Sequence, residues 1–203
     1  MTVSNYAIYN RDEKPFGKTW EEWTQDWWRW ALSIPRDENP GYDETGEKFN
    51  TKQNDSNVLF LVGTYGGSAE RDFSVQYGKA CLFPIINFTT SYSEEPFLKT
   101  EAELLLRSKG DIDDITYKEA SIDGRKLQNL DKYRVASLPF DITLPENNVF
   151  GAKSGPTRAV SDGYWIFLKP LSPGRHTIHA AGSCSSGKTK VDVTWHITIK
   201  HSD

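Results

Sequence analysis

The chain has 203 residues, of which 37% are hydrophobic and 13% aromatic, and its formal net charge at pH 7 is −4. This content of aromatic rings excludes a disordered chain, and the acidic balance disfavours nucleic-acid binding, which needs a basic face. No apolar run is long enough for a membrane-spanning helix, and residues 1–18 lack the apolar stretch of a secretory signal. We therefore expect a single domain over residues 1–203 that is cytoplasmic, with a mature secreted form left open and membrane binding disfavoured.

The first predicted element is an amphipathic helix that carries five of the seven tryptophans. A rotation of about 100° per residue gathers its large apolar side chains on one stripe. These are Trp20, Trp23, Trp27, Trp30 and Ile34, and Trp28 and Leu32 lie on the flank of the stripe. Thr19 and Glu22 form a capping box at the helix start, and Pro35 ends the helix. A helix with such a stripe must lie on another apolar surface.

A long polar loop follows the helix, and strand patterns begin at residue 57. Residues 1–56 are therefore predicted to cover a β core that spans residues 57–199. The predicted strands lie at 58–62, 73–76, 80–88, 134–144 and 164–168. Pro84 indicates an edge or a bulge, since proline cannot donate to a sheet.

Two local signals interrupt the strands. Thr100 and Glu103 form a second capping box, which predicts a short helix over residues 101–108. Asp123 and Gly124 favour the positive φ angles of a tight hairpin turn.

The last hairpin yields the most specific prediction for a site. Residues 175–199 contain two alternating runs around Gly187 and Lys188, which suit a two-residue turn. That turn sets His179 opposite His196, with β carbons about 5 Å apart. Two such imidazoles can share a divalent metal such as zinc or copper, or relay a proton. The sequence fixes no third metal ligand, a longer turn would break this register, and a half-buried pair bonded to threonines is the structural alternative.

The helix and the hairpin together suggest a ligand site. The run at 164–168, which holds Trp165, is apolar on both faces and so needs a cover, for which the tryptophan helix is the obvious candidate. This arrangement predicts an aromatic cavity with His179 and His196 in its floor as catalytic groups or metal ligands. Its ligand-binding walls would be Trp20, Trp23, Trp27, Trp30 and Trp165.

The leading functional hypothesis is therefore a β-sandwich that binds a small ligand or a metal. As an enzyme, it would use histidine acid/base or metal-assisted chemistry on a small, partly apolar substrate. The alternatives are a non-catalytic module that docks through its tryptophan helix, with a homo-oligomer left open, and a carbohydrate-binding module. The structural alternative to a ligand cavity is that the rings fill a second hydrophobic core. Cys81 and Cys184 are either buried free thiols or a pair.

Three blocks carry a resemblance to other proteins. They are FGKTWEEWTQDWWRWALSIP, GKACLFPIIN and AVSDGYWIFLKPLSPGRHTIHAAG, and they resemble a group of bacterial proteins of uncharacterised function. That resemblance implies no activity or cofactor. LSPGRHTI is similar to the strand, Pro-Gly turn and strand of many small β-sandwiches. The fold expected is mainly β: an antiparallel sandwich or flattened barrel, of prealbumin, immunoglobulin or jelly-roll type. The tryptophan-rich amino-terminal helix packs on it, with one further short helix.

Overall fold

The computed structural model describes residues 7–53 and 56–201, which form two α-helices, ten β-strands and three short 3-10 helices. The α-helices are α1 (Trp20–Leu32) and α2 (Glu101–Asp113). The strands are β1 (Val58–Phe60), β2 (Gly67–Gln76), β3 (Ala80–Ser91), β4 (Ile115–Ile122), β5 (Arg125–Lys126), β6 (Arg134–Ala136), β7 (Phe140–Leu144), β8 (Gly155–Leu168), β9 (Gly174–Cys184) and β10 (Lys190–Lys200). The 3-10 helices are Pro15–Gly17, Pro40–Tyr42 and Leu130–Tyr133. Neither described α-helix has the length and hydropathy to cross a membrane. Residues 1–6 lie outside the described residues. They belong to the segment 1–18, for which the sequence predicts no secretory signal.

The strands form two sheets that pack on each other as a β-sandwich. Sheet one has the order β1-β3-β8-β6, with β7 also paired to β8, and sheet two has the order β2-β10-β9-β4-β5. Neighbouring strands are antiparallel except for β1 with β3 and β2 with β10, which run parallel. The described sheets do not close into a barrel. The prediction of a mainly β sandwich is therefore confirmed. The two parallel pairs of strands were not expected, since the predicted sandwich was antiparallel.

Close packing joins the two sheets. The rings of Phe83 in β3 and Trp195 in β10 lie 5.5 Å apart between their centroids. Gly182 of β9 faces Ile86, and a Cβ at position 182 would stand only 2.8 Å from the Cβ of Ile86. Because β carbons do not approach so closely, any larger residue at position 182 would push the sheets apart.

Helix α1 covers the face of sheet one that points away from sheet two. Its capping box forms as predicted: Glu22 N donates to Thr19 Oγ1 at 3.2 Å, and Thr19 N donates to the Glu22 carboxylate at 2.7 Å. The rings of Trp20 and Trp23 each lie 5.8 Å from the ring of Phe167 in β8. Strand β8 is thus buried on both faces, as the apolar run at its end predicted.

The carboxy-terminal hairpin has a longer turn than expected. Strands β9 and β10 pair with Ser183 opposite Lys190, so residues 184–189 make the turn. This shifts the register by two positions, which places His179 opposite Thr194 and His196 opposite Thr177. The predicted direct pairing of the histidines is therefore wrong. A shift of two keeps each side chain on its face, so both histidines lie on the same face as diagonal neighbours.

The other local predictions hold, with changes in extent. Strand β3 has a register irregularity between Pro84 and Ile86, which confirms the bulge. The turn at Asp123 and Gly124 has φ angles of 48° and 74°, as expected. Helix α2 continues to Asp113, past the predicted end at residue 108. Cys81 and Cys184 are both buried and free.

Candidate functional site

The two histidines singled out by the sequence lie on the outer face of sheet two. His179 Nε2 lies 2.9 Å from Asp192 Oδ1, and His196 Nε2 lies 2.7 Å from Glu70 Oε1. Because α1 covers sheet one, the expected roof of tryptophans over these histidines is wrong. Within residues 7–53 and 56–201, no group of three or more His, Cys, Asp and Glu side chains is arranged to hold a metal ion. A metal or catalytic role for the histidines stays a prediction.

The tryptophans of α1 are parts of the core. All five rings are at most 8% exposed. Trp20 Nε1 donates to Asn10 O at 3.0 Å, Trp23 Nε1 to Pro15 O at 2.7 Å, and Trp30 Nε1 to Thr51 O at 2.8 Å. Trp165 is fully buried and packs on Trp27, with 5.2 Å between the ring centroids. Docking of a subunit or a sugar on α1 would need exposed rings, and these five rings are covered within the chain.

A cavity of about 330 Å³ lies beside β3, at the point where β1 has ended. Strand β1 pairs with β3 only as far as Leu82, and the next part of β3, residues 84–89, lines the cavity. The other walls come from α1, residues 62–66, residues 149–150 and β10. The apolar lining includes Trp27, Val62, Ile85, Ile86, Phe88, Val149, Phe150, Val191 and Val193. Ligand pockets typically hold about 300–1,000 Å³, so the cavity suits a small molecule.

One wall of this β3 cavity is aromatic. Tyr42 and Tyr65 are stacked, with 5.0 Å between centroids and an angle of 26°. The guanidinium of Arg36 lies 4.3 Å from the ring of Tyr42, on its outer side, and Phe150 meets Tyr65 edge-on at 6.5 Å. Arg36 contacts one ring of the stacked pair and Phe150 contacts the other. Both rings are therefore held in place and form a firm surface for a flat ligand.

The buried guanidinium of Arg71 holds the loops that form this wall. It donates to the carbonyl oxygens of Asp43 at 2.6 Å and Gly63 at 3.0 Å, and also to that of Val62. Burial lowers the pKa of Arg71 to about 10, and the nearby Asp43 carboxylate opposes that fall. The side chain therefore stays cationic at neutral pH and ties residues 62–63 to the loop that carries Tyr42.

Three buried polar atoms that lack a hydrogen-bond partner belong to residues of the cavity lining. They are Trp28 Nε1, Asn87 Nδ2 and the hydroxyl of Tyr65. Asn39 lies near that hydroxyl without completing a hydrogen bond of normal geometry. Burial raises the pKa of Tyr65, so its hydroxyl stays protonated. Each unpaired buried group costs about 1–3 kcal/mol, and such groups are rare in folded proteins. Three such groups thus occur in residues that line one cavity.

Glu94 lies between this cavity and a second, more polar cleft of about 450 Å³. Ser91 Oγ donates to its carboxylate at 2.7 Å. Burial raises the pKa of Glu94 to about 7, although the hydrogen bond from Ser91 lowers it. Glu94 therefore changes between a hydrogen-bond donor and an anion near neutral pH.

Replacing Glu94 with glutamine should alter the pH dependence of stability. Since the pKa is raised from 4.5 to about 7 on folding, the folded chain holds a proton that the unfolded chain releases. Stability should therefore fall as pH rises from 4.5 to 7. We expect equal free energies of unfolding for the two proteins at pH 4. At pH 8, Glu94→Gln should be more stable than wild type by about 2 kcal/mol, below the full value of the shift because Glu94 is only half-buried.

Urea unfolding at both pH values measures this difference. Glu38→Gln, at an exposed position outside the cavity lining, is the control and should keep the wild-type pH profile. Parallel profiles for wild type and Glu94→Gln would show that Glu94 is not protonated in the folded chain.

Comparisons with known proteins give only weak similarities. No protein-family model matches this chain, and no curated protein matches its sequence. One solved structure that matches is the cysteine protease inhibitor EhICP2 from Entamoeba histolytica, with 14% identity over 70% of this chain and 96% of that chain, at a TM-score of 0.27. Another is PbICP-C, solved in complex with falcipain-2, with 10% identity over 70% of this chain and 98% of that chain, at a TM-score of 0.28. Scores this low carry no functional argument. The resemblance to an uncharacterised bacterial group stays a prediction.

Of the predicted ligand-binding tryptophans, Trp27 alone is part of the cavity lining among the described residues. Sequence reasoning missed Trp28, Tyr65, Asn87 and Glu94. Asn87 did leave a signal, because it is a polar residue in the apolar run ACLFPIINF. Trp28 was placed on the flank of the helix stripe. Tyr65 and Glu94 lie in polar turns that resemble many others, and nothing in the sequence marks them.

Proposed function

We propose that this protein binds a small, mostly apolar molecule in the cavity beside β3. The observation that carries the proposal is an apolar and aromatic cavity of about 330 Å³, three of whose lining residues each have a buried polar atom without a partner. A bound molecule would cover the apolar lining and pair those atoms. Water alone suits the space less well, because each buried water needs two to four polar partners and the lining is mostly hydrocarbon.

Binding is favoured over catalysis by the chemistry of the lining. Among the described residues, the lining offers one carboxyl group, Glu94, and neither histidine nor cysteine. General acid/base catalysis needs a titratable group at the substrate, and most such sites pair one with a second polar group that orients it. Here Glu94 receives a hydrogen bond from Ser91 and has no histidine beside it in the wall. We therefore propose a ligand carrier or sensor.

Filling the cavity tests this proposal. A Cβ at Gly63 would have one neighbour within 4 Å, Val193 Cγ1 at 3.9 Å, so a larger side chain would project into the space. We expect small arenes such as ethylbenzene to bind wild type in titration calorimetry. Gly63→Leu should weaken that binding at least tenfold.

The matched control is Gly110→Leu, at an exposed position of α2 where a Cβ meets no atom within 4 Å. It should bind as wild type does. Equal affinities for Gly63→Leu and wild type, or no binding by wild type, would count against a ligand in this cavity.

A further inference from the structure

We propose that the ligand is an uncharged molecule with a carbonyl oxygen, which accepts hydrogen bonds from Trp28 Nε1 and Asn87 Nδ2. This inference rests on the proposed function and names the chemical class of its ligand. Amides, ketones and esters with an apolar ring or chain belong to that class.

The first argument is the kind of atom left unpaired. Seven buried side-chain nitrogen and oxygen atoms lack a partner among the described residues, and three of them belong to residues that line this one cavity. An indole N–H and an amide NH₂ can only donate. A ligand that pairs Trp28 and Asn87 must therefore present an acceptor, which a hydrocarbon or an ammonium group does not have.

The second argument is that both donors are held in place. Trp28 is 4% exposed, and its ring meets that of Trp27 edge-on at 4.9 Å. Asn87 pairs across the sheet with Gly163, where the Cβ of any larger residue would stand 2.5 Å from the Cβ of Asn87. Packing this close limits how far either side chain can turn toward another acceptor. The two N–H groups are thus preorganised for an oxygen that arrives with the ligand.

The third argument is charge. The described lining contains no lysine or arginine, so a bound anion would lose its water without gaining a cation, and it would lie near Glu94. A bound cation could pair with ionised Glu94 but would leave Trp28 and Asn87 without an acceptor. An uncharged carbonyl compound satisfies both donors and avoids both penalties, and its remaining atoms can cover the aromatic wall of Tyr42 and Tyr65.

The test compares two probes of similar size, acetophenone, which has a carbonyl oxygen, and ethylbenzene, which does not. Their affinities are measured by titration calorimetry for wild type, Trp28→Phe and Asn87→Leu. Each variant replaces one donor with an apolar side chain. We expect acetophenone to bind each variant about tenfold more weakly than it binds wild type. Ethylbenzene accepts no hydrogen bond, so its affinity responds only to the changed shape of the wall and should fall clearly less than that of acetophenone; its binding also shows that the variants are folded. Trp30→Phe is the matched control, because Trp30 Nε1 donates to Thr51 O outside the cavity, and it should leave both affinities unchanged.

The outcomes separate this inference from the proposed function. Binding of both probes that does not respond to either substitution, or that weakens equally for both, overturns the carbonyl inference. In that case water pairs the two donors or the ligand is a hydrocarbon, and the proposed function stands. If wild type binds neither probe, both proposals fall.

Discussion

Replacing Trp27 with alanine should lower the free energy of unfolding by about 4 kcal/mol. The side chain is 2% exposed, and its ring contacts those of Trp28, Trp30 and Trp165 at centroid distances of 4.9, 5.9 and 5.2 Å. Truncation of a buried aromatic ring to alanine typically costs about 3–5 kcal/mol. The carbonyl oxygen of Leu61 would also lose the hydrogen bond that it accepts from Trp27 Nε1 at 3.1 Å.

Urea unfolding measures this loss. Trp27→Phe keeps most of the ring and should lose less than half as much stability. Leu106→Ala removes a side chain that is 72% exposed, so it should change stability by about 0.5 kcal/mol or less. A loss of less than about 1 kcal/mol for Trp27→Ala would mean that α1 is not part of the cooperative core.

Replacing Arg134 with methionine should cost about 3 kcal/mol at neutral pH. Asp162 is 3% exposed, and its carboxylate accepts hydrogen bonds from Arg134 Nη2 at 2.6 Å and from the amide of Gly163 at 2.8 Å. Burial raises the pKa of Asp162, and the guanidinium of Arg134 opposes that rise. Removing one partner of a buried ion pair leaves the other charge uncompensated, which typically costs about 3–5 kcal/mol. Because Arg134 itself is partly exposed, we expect the lower end of that range.

A double-mutant cycle tests this account. Asp162→Asn combined with Arg134→Met should recover part of the loss, because no buried charge is then unpaired. The deficit of Arg134→Met should also shrink as pH falls, because burial raises the pKa of Asp162 and protonation removes its unpaired charge. Arg175→Met removes an Arg–Asp72 pair whose side chains are both 56% exposed, and it should have little effect. Equal losses for Arg134→Met and Arg175→Met would contradict a buried role for Asp162.

The parts of the fold that the sequence predicted are those specified by neighbouring residues. The start of α1 depends on Thr19 and Glu22, three positions apart, and its stripe repeats within a few turns of helix. The turn at Asp123 and Gly124 likewise depends on the two residues that form it. Such signals act over short distances and do not need the rest of the chain.

The register predicted for the last hairpin was wrong because the sequence is compatible with two different turns. Gly187 and Lys188 suit a two-residue turn, but the amide of Cys184 donates to Thr189 O at 3.1 Å and closes a longer one. The parallel pairing of β2 with β10 was missed for a different reason. It joins segments far apart in the chain, and alternation within each strand does not say which strand lies beside it.

The candidate site could be predicted only in part. The sequence indicated an aromatic cavity against α1, and Trp27 does line the cavity beside β3. The prediction placed the histidines in this cavity because the sequence of α1 does not show which sheet face the helix covers. Most of the lining comes from loops and from the part of β3 beyond Leu82. Arg71 holds these loops together, and the early end of β1 leaves that part of β3 open to them.

The parallel pair of β2 and β10 has a consequence for synthesis and folding. Strand β10 is the last of the described strands, and it lies between β2 and β9, so sheet two stays divided until the carboxy-terminal residues are available. Pairing of distant segments is slow because a large loop must close before any contact forms. Val191 and Val193 of β10 also line the cavity. A chain still on the ribosome can therefore form α1 and much of sheet one before β10 is available, and the wall of the cavity is completed only in the last step of folding.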